Sequence, residues 1–170
     1  MKGKLLAVVT AALFALATLV GVGCASSQQR AEQVALTRQL VSKAVDMRQW
    51  HIDITSMNTL RYGARTVATD FYLELRNDTL RSYLPYLGQA HVAPMMSHSQ
   101  GLSFEAPLRD YQEKAAGNGS RQIDMDVRTQ EDLLHYTIEV YETGKAAIRV
   151  NSLHRDPISF DGEMGDMIVN

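Results

Sequence analysis

Few side chains in this sequence stand where they could do chemistry together. His91, Met95, Met96 and His98 bring two imidazoles and two thioethers within eight residues, a soft donor set that suits Cu(I). Their spacing does not repeat, and methionine also fills irregular gaps in cores, so no metal is expected. The five histidines, His51, His91, His98, His135 and His154, form no His-Glu-x-x-His pattern, and the single cysteine cannot complete a zinc set. Asp124 and Asp126 share a strand face with Arg128, which reads as a charged solvent face with cross-strand pairing and not as an acid and base pair. Asp161, Glu163 and Asp166 miss the spacing of a calcium loop. Ser82 lies outside any Gly-x-Ser-x-Gly elbow, and no glycine-rich phosphate loop is present. No catalytic residue and no cofactor is therefore expected. Tyr83 and Tyr86 flank Leu84-Pro85 near a strand end, where proline removes a donor and Gly88 permits a bend, and they are the candidate surface for a ligand or partner.

Cys24 is the one residue whose setting points to a modification. Lys2 and Lys4 are followed by an uncharged run from Leu5 to Val20, and then by Gly21-Val22-Gly23-Cys24. The run is shorter than the roughly 20 apolar residues needed to span a bilayer. It has the layout of a secretory signal. Small residues directly before the cysteine resemble a bacterial lipobox, in which the thiol takes a diacylglycerol and cleavage leaves Cys24 as the new N-terminus. One acyl chain holds a protein only marginally, whereas two or three make a durable anchor. With no other cysteine the mature chain has no disulfide, so an apolar core alone must hold it. Loss of Lys2 and Lys4 takes the formal charge from -2 to -4.

The elements that would position these residues follow from periodicity. Residues 1–23 read as the signal peptide, 24–29 as a tether and 30–170 as a single globular domain. Ser26 and Gln29 fit a capping box. From Arg30 to Met47, Ala31, Val34, Leu36, Leu40, Val41, Ala44, Val45 and Met47 form one apolar face of an amphipathic helix. Period-two alternation then dominates: Trp50 to Ile54, Thr69 to Arg76, Thr79 to Leu84 after an Asn77-Asp78 turn, Gly101 to Glu105, Ile123 to Thr129, Leu134 to Tyr141, Ala146 to Asn151 and Ile158 to Phe160. Gly117-Asn118-Gly119 and Thr143-Gly144 are turn signals. The fold class is α+β, mainly antiparallel β: a meander of about eight strands, as a sandwich or half-open barrel, with the N-terminal helix packed on it. At 170 residues, 45% hydrophobic and 21% charged, with 17 Lys and Arg against 19 Asp and Glu, the chain is neither disordered nor a nucleic-acid binder.

The stretch Asp78-Thr79-Leu80-Arg81-Ser82-Tyr83-Leu84-Pro85-Tyr86-Leu87-Gly88-Gln89-Ala90 resembles the domain-of-unknown-function 4251 family of Bacteroides-type lipoproteins. The likeness extends to Gly101-Leu102-Ser103-Phe104, Asp110-Tyr111, the hairpin before Gly144 and Ile158-Ser159-Phe160-Asp161-Gly162. Leu87 stands where an aromatic is common, and the loop Pro94 to Gln100 is rich in Met and His where relatives are rich in Gly. The resemblance implies a lipid-anchored envelope protein built on an antiparallel sheet, and it brings no catalytic residues. Ala25, Ser26 and Ser27 follow Cys24 without an acidic run, so the expected location is the periplasmic side of the outer membrane. The expected function is a non-enzymatic interaction or structural module whose partners are the membrane, through its anchor, and an unknown envelope protein. The alternative is a carrier holding a small apolar ligand in a barrel lined by Phe71, Leu73, Tyr136 and Ile138. Metabolic labelling with a fatty acid is expected to mark the wild type and not Cys24→Ala; equal labelling of the two contradicts the anchor.

Overall fold

The computed structural model describes residues 21–68, 70–87, 102–130 and 132–165, apart from the side chains of 21–26 and Asn118. His91, Met95, Met96, His98 and Asp166 lie outside the described residues. The chain divides into two compact units, Met1–Thr37 and Arg38–Asn170. Helix α1 covers Gly21–Asp46. Its backbone is already helical at Ser26, within the stretch 24–29 read from sequence as a tether. No proline interrupts the stretch, and the two glycines cost only about 1 kcal/mol each. In the first unit Val34 and Leu36 are exposed.

In the second unit the helix ends on a Schellman motif: Gln49 N–H bonds Ala44 O at 3.0 Å and Arg48 N–H bonds Val45 O at 2.9 Å. Arg48 takes the left-handed position that glycine usually fills, with φ 51°. Its guanidinium stacks 4.3 Å over the Tyr111 ring and lies 3.5 Å from Asp78, contacts that offset the strain. Val41, Ala44 and Val45 are buried, whereas Leu40 and Met47 are exposed. The apolar face expected in contact with the sheet is thus narrower than its sequence pattern.

Nine strands follow among the described residues: β1 Trp50–Thr59, β2 Gly63–Thr66, β3 Tyr72–Arg76, β4 Thr79–Leu84, β5 Leu102–Ala115, β6 Arg121–Arg128, β7 Leu133–Val140, β8 Lys145–Ser152 and β9 Ile158–Met164. All pair antiparallel, each neighbouring the next except around β1. Trp50 to Asp53 pair with β3, Ser56 to Thr59 pair with β2, and the other edge of β1 pairs with β9. That last pairing closes an eight-stranded barrel of β1 and β3 to β9, consistent with the sandwich or half-open barrel expected. Closure removes the free edges that an open meander would leave.

Two local features make closure possible. A bulge between Ile54 and Ser56 bends β1, and the extra residue, Thr55, donates its hydroxyl to Asp161 O at 3.1 Å. Opposite it, Gly162 packs so closely that a Cβ would stand 2.5 Å from Asp53 O. The β3–β4 hairpin turns on Asn77 and Asp78, both at positive φ, the two-residue turn that twisted strands favour.

Among the described residues the centre of the barrel is lined by buried side chains. Ile52, Leu73, Leu80, Ile123, Val127, Tyr136 and Ile138 are each 0% exposed. A space able to hold a water beside them would give them accessible surface. The polar exception is Tyr136, whose hydroxyl lies 3.3 Å from Ser82 Oγ, while Ser82 donates to Leu102 O at 2.7 Å. Burial pushes the Tyr136 phenol far above its ordinary value.

Helix residues Val41, Ala44 and Val45 join this core at the end where β1 begins. Arg121 clasps the helix there, 2.6 Å from Asp46 and in a short contact with Glu113, and Arg38 pairs with Glu142 at 2.8 Å. Gly162→Ala is expected to lower stability by about 1–3 kcal/mol, because backbone blocks the new methyl. Gly117→Ala, with nothing within 4 Å, is expected to be near neutral. Urea midpoints compare the two variants, and equal midpoints contradict the close β1–β9 seam.

Candidate functional site

The end of the barrel away from the helix clasp carries most of the exposed aromatic surface. There β1 turns into β2, β4 runs out at Leu84, and β8 turns into β9. Antiparallel register sets Tyr72 of β3 directly opposite Tyr83 of β4. Cross-strand aromatic pairs of this kind stabilise one another on a sheet face. Phe71 stacks on Tyr83 at 5.3 Å between centroids, Tyr72 tilts against Tyr83 at 6.0 Å, and His51 stacks on Tyr72 at 5.0 Å. The rings of His51, Tyr72 and Tyr83 therefore form a row across β1, β3 and β4, and Phe71, just before β3 and partly buried against the core, stacks at its end. Tyr83 is the most open of them at 44%. His51 is held by Asp53 at 3.2 Å.

Tyr86 sits apart from that row. It is partly buried against the core, its hydroxyl donates to Asp156 O at 3.1 Å, and the Arg155 guanidinium lies 5.4 Å over its ring. Burial, and then the Asp156 charge, push its phenol above the ordinary range. The two tyrosines proposed from sequence thus lie in different settings, one on the wall and one at the rim.

Beneath the rim a serine, a histidine and an aspartate do meet. Asp132, whose side chain is 4% exposed, accepts a short hydrogen bond from Ser152 Oγ and one at 2.9 Å from Leu133 N–H. His154 Nδ1 stands 3.3 Å from Asp132 Oδ1, but without hydrogen-bond geometry. Arg155 Nε is 3.9 Å from Oδ2. Ser152 Oγ also accepts the N–H groups of His154 and Arg155, each at 3.0 Å. A nucleophilic relay needs the hydroxyl on the imidazole and the imidazole on the carboxylate. Here the hydroxyl proton goes to the carboxylate, so the cluster shapes the β8–β9 turn and neutralises a buried charge. No single segment of sequence signals it, because its members come from two loops.

The outer wall of β5, β6 and β7 holds a polar groove of about 400 Å3 lined by Asp110, Gln112, Lys114, Gln122, Asp124, Asp126 and His135. Lys114 lies 3.2 Å from Asp124 and His135 lies 2.7 Å from Asp126. Partial burial opposes the Asp124 charge, yet hydrogen bonds from Gln122, Thr137 and Lys114 outweigh it and hold the carboxyl below its ordinary value. These carboxylates are mutually paired, as expected of a charged solvent face. Among the described residues no group of three or more His, Cys, Asp or Glu could hold a metal ion. Cys24 falls within α1, and its side chain lies outside the description. No helix among the described residues is long and apolar enough to cross a membrane.

Comparison with known proteins bears on this architecture. Residues 32–164 match the profile of a family described as a domain of unknown function, DUF4251. The chain belongs to this family. The match spans the end of α1 and every strand of the barrel. Among solved structures, a DUF4251 family protein from Bacteroides eggerthii DSM 20697 is similar with a TM-score of 0.61 at 10% identity, covering 76% of this chain and 87% of that one. At that identity the likeness concerns the fold. No curated protein matches.

If the Asp132 cluster is structural, Ser152→Ala removes one donor and one acceptor and is expected to cost about 1–3 kcal/mol of stability. Hydrolysis of an activated ester is expected to stay at the buffer rate for both wild type and variant. Turnover by the wild type that Ser152→Ala abolishes contradicts this reading.

Proposed function

We propose that this DUF4251 protein is a lipid-anchored, non-enzymatic interaction module of the cell envelope. Cys24 tethers it at the periplasmic side of the outer membrane, and the outer wall around Tyr83 meets an envelope protein. The observation that carries this reading is the contrast between a centre lined by buried side chains and a row of rings turned outward. A scaffold of this kind fixes the position of its surface side chains at little entropic cost on binding. A tether then raises the local concentration of a weak partner without adding a contact.

An eight-stranded barrel can also be wide enough for one small ligand. A carrier would need space beside Phe71, Leu73, Tyr136 and Ile138; the last three have no accessible surface, and Phe71 is partly buried against the core. That favours the module. An enzyme would need polar groups converging on an open cleft, whereas the carboxylates of the polar groove and of the Asp132 cluster are taken up in mutual pairs. Nor does the near-balanced charge favour nucleic acid as a partner.

A photo-crosslinking residue in place of Tyr83, in the native host, is expected to give one discrete adduct with an envelope component. The same group in place of exposed Arg149 on β8 serves as the comparison. No adduct at Tyr83, or the same adducts from both positions, contradicts the proposed surface.

A further inference from the structure

Strand β2 contributes nothing to the barrel core. All four of its residues, Gly63 to Thr66, are exposed, and successive side chains of a strand point to opposite faces, so neither face is used. It pairs with β1 alone. The turn before it is nevertheless well made: Tyr62 N–H bonds the hydroxyl of buried Thr59 at 3.1 Å, and Gly63 supplies the positive φ of 66°. The result is an ordered hairpin tip whose residues, Leu60-Arg61-Tyr62-Gly63-Ala64-Arg65-Thr66, are all exposed. No carboxylate occurs in the sequence between Asp53 and Asp70.

We propose that this hairpin is a finger that rests on an anionic phospholipid surface, with Leu60 and Tyr62 at the acyl boundary and Arg65 among the headgroups. Leu60, 73% exposed, and Leu153, 71% exposed, are the two most open large apolar side chains among the described residues. The two belong to neighbouring turns, since Thr59 pairs with Ile158 and Arg61 reaches Asp156 at 3.9 Å. Tyr62 is 54% exposed and carries the Arg65 guanidinium 5.5 Å over its ring. A leucine tip with tyrosine and arginine beside it matches what partitions to the membrane interface. Arg65 complements anionic headgroups, in a chain whose overall charge is negative. A four-residue edge beginning in a turn glycine offers too little ladder for an added peptide strand. The inference goes beyond the partner surface around Tyr83 and does not depend on it.

The test uses the acylated protein extracted from its host and reconstituted in vesicles, with Tyr62→Trp as reporter. Trp50, the only native tryptophan, is buried and supplies a constant background, measured on the parent protein. In phosphatidylcholine mixed with phosphatidylglycerol the new indole is expected to emit to the blue and to be quenched by brominated acyl chains. Adding Arg65→Ser is expected to lower its ratio of inserted to water-exposed populations about fivefold. Water-like, unquenched emission in the mixed vesicles overturns the proposal. Shielding that follows protein density instead of lipid composition indicates a second copy and overturns it equally.

Discussion

Strand β1 must satisfy three neighbours at once, and the rest of the barrel depends on how it does so. One edge is shared between β3 and β2, and the other lies along β9. A straight strand could not stay in register with all of them. The extra residue at Thr55 bends it, and Gly162 lets β9 approach where a side chain would collide with backbone. Once this seam is made, the remaining strands form a simple meander in which each neighbours the next. The inward residues then meet, buried, around Tyr136, Phe160 and Leu73.

Among the described residues the side chains that face inward along the barrel are buried, so the surface proposed for a partner is the outer one. The barrel's larger polar clusters serve the fold: the Arg121 clasp pins the end of α1, and Asp132 organises the β8–β9 turn. What remains is the exterior, and it is uneven. The wall of β5 to β7 is charged and internally paired, whereas the wall and rim near β1, β3 and β4 hold stacked rings, exposed leucines and the acid-free hairpin. Membership in DUF4251 places the chain in a family whose Bacteroides eggerthii member has a similar fold.

Much of the barrel was legible in the sequence because alternation reports directly which face is buried. Trp50, Ile52 and Ile54, the β3 and β4 runs around Asn77-Asp78, and the strands from Ile123 onward all read correctly. Strand β5 did not, because the bulge between Leu108 and Asp110 switches the side-chain parity halfway along its 14 residues. Strand β2 was missed because a strand exposed on both faces has no hydrophobic period. Asp161 and Glu163, which miss the spacing of a calcium loop, sit at outward positions of β9, alternating with the inward Phe160 and Gly162. The opposed facing of Tyr83 and Leu84 was readable; the separation of Tyr83 from Tyr86 was not, since the rim position of Tyr86 depends on Asp156, 70 residues away.

If this barrel works with its outside, native mass spectrometry of the protein extracted from its host's envelope separates that reading from a carrier. The mass predicted is that of the processed polypeptide with its acylated Cys24 and no other small molecule. A stoichiometric extra mass of an apolar compound, released only when the barrel unfolds, would contradict it.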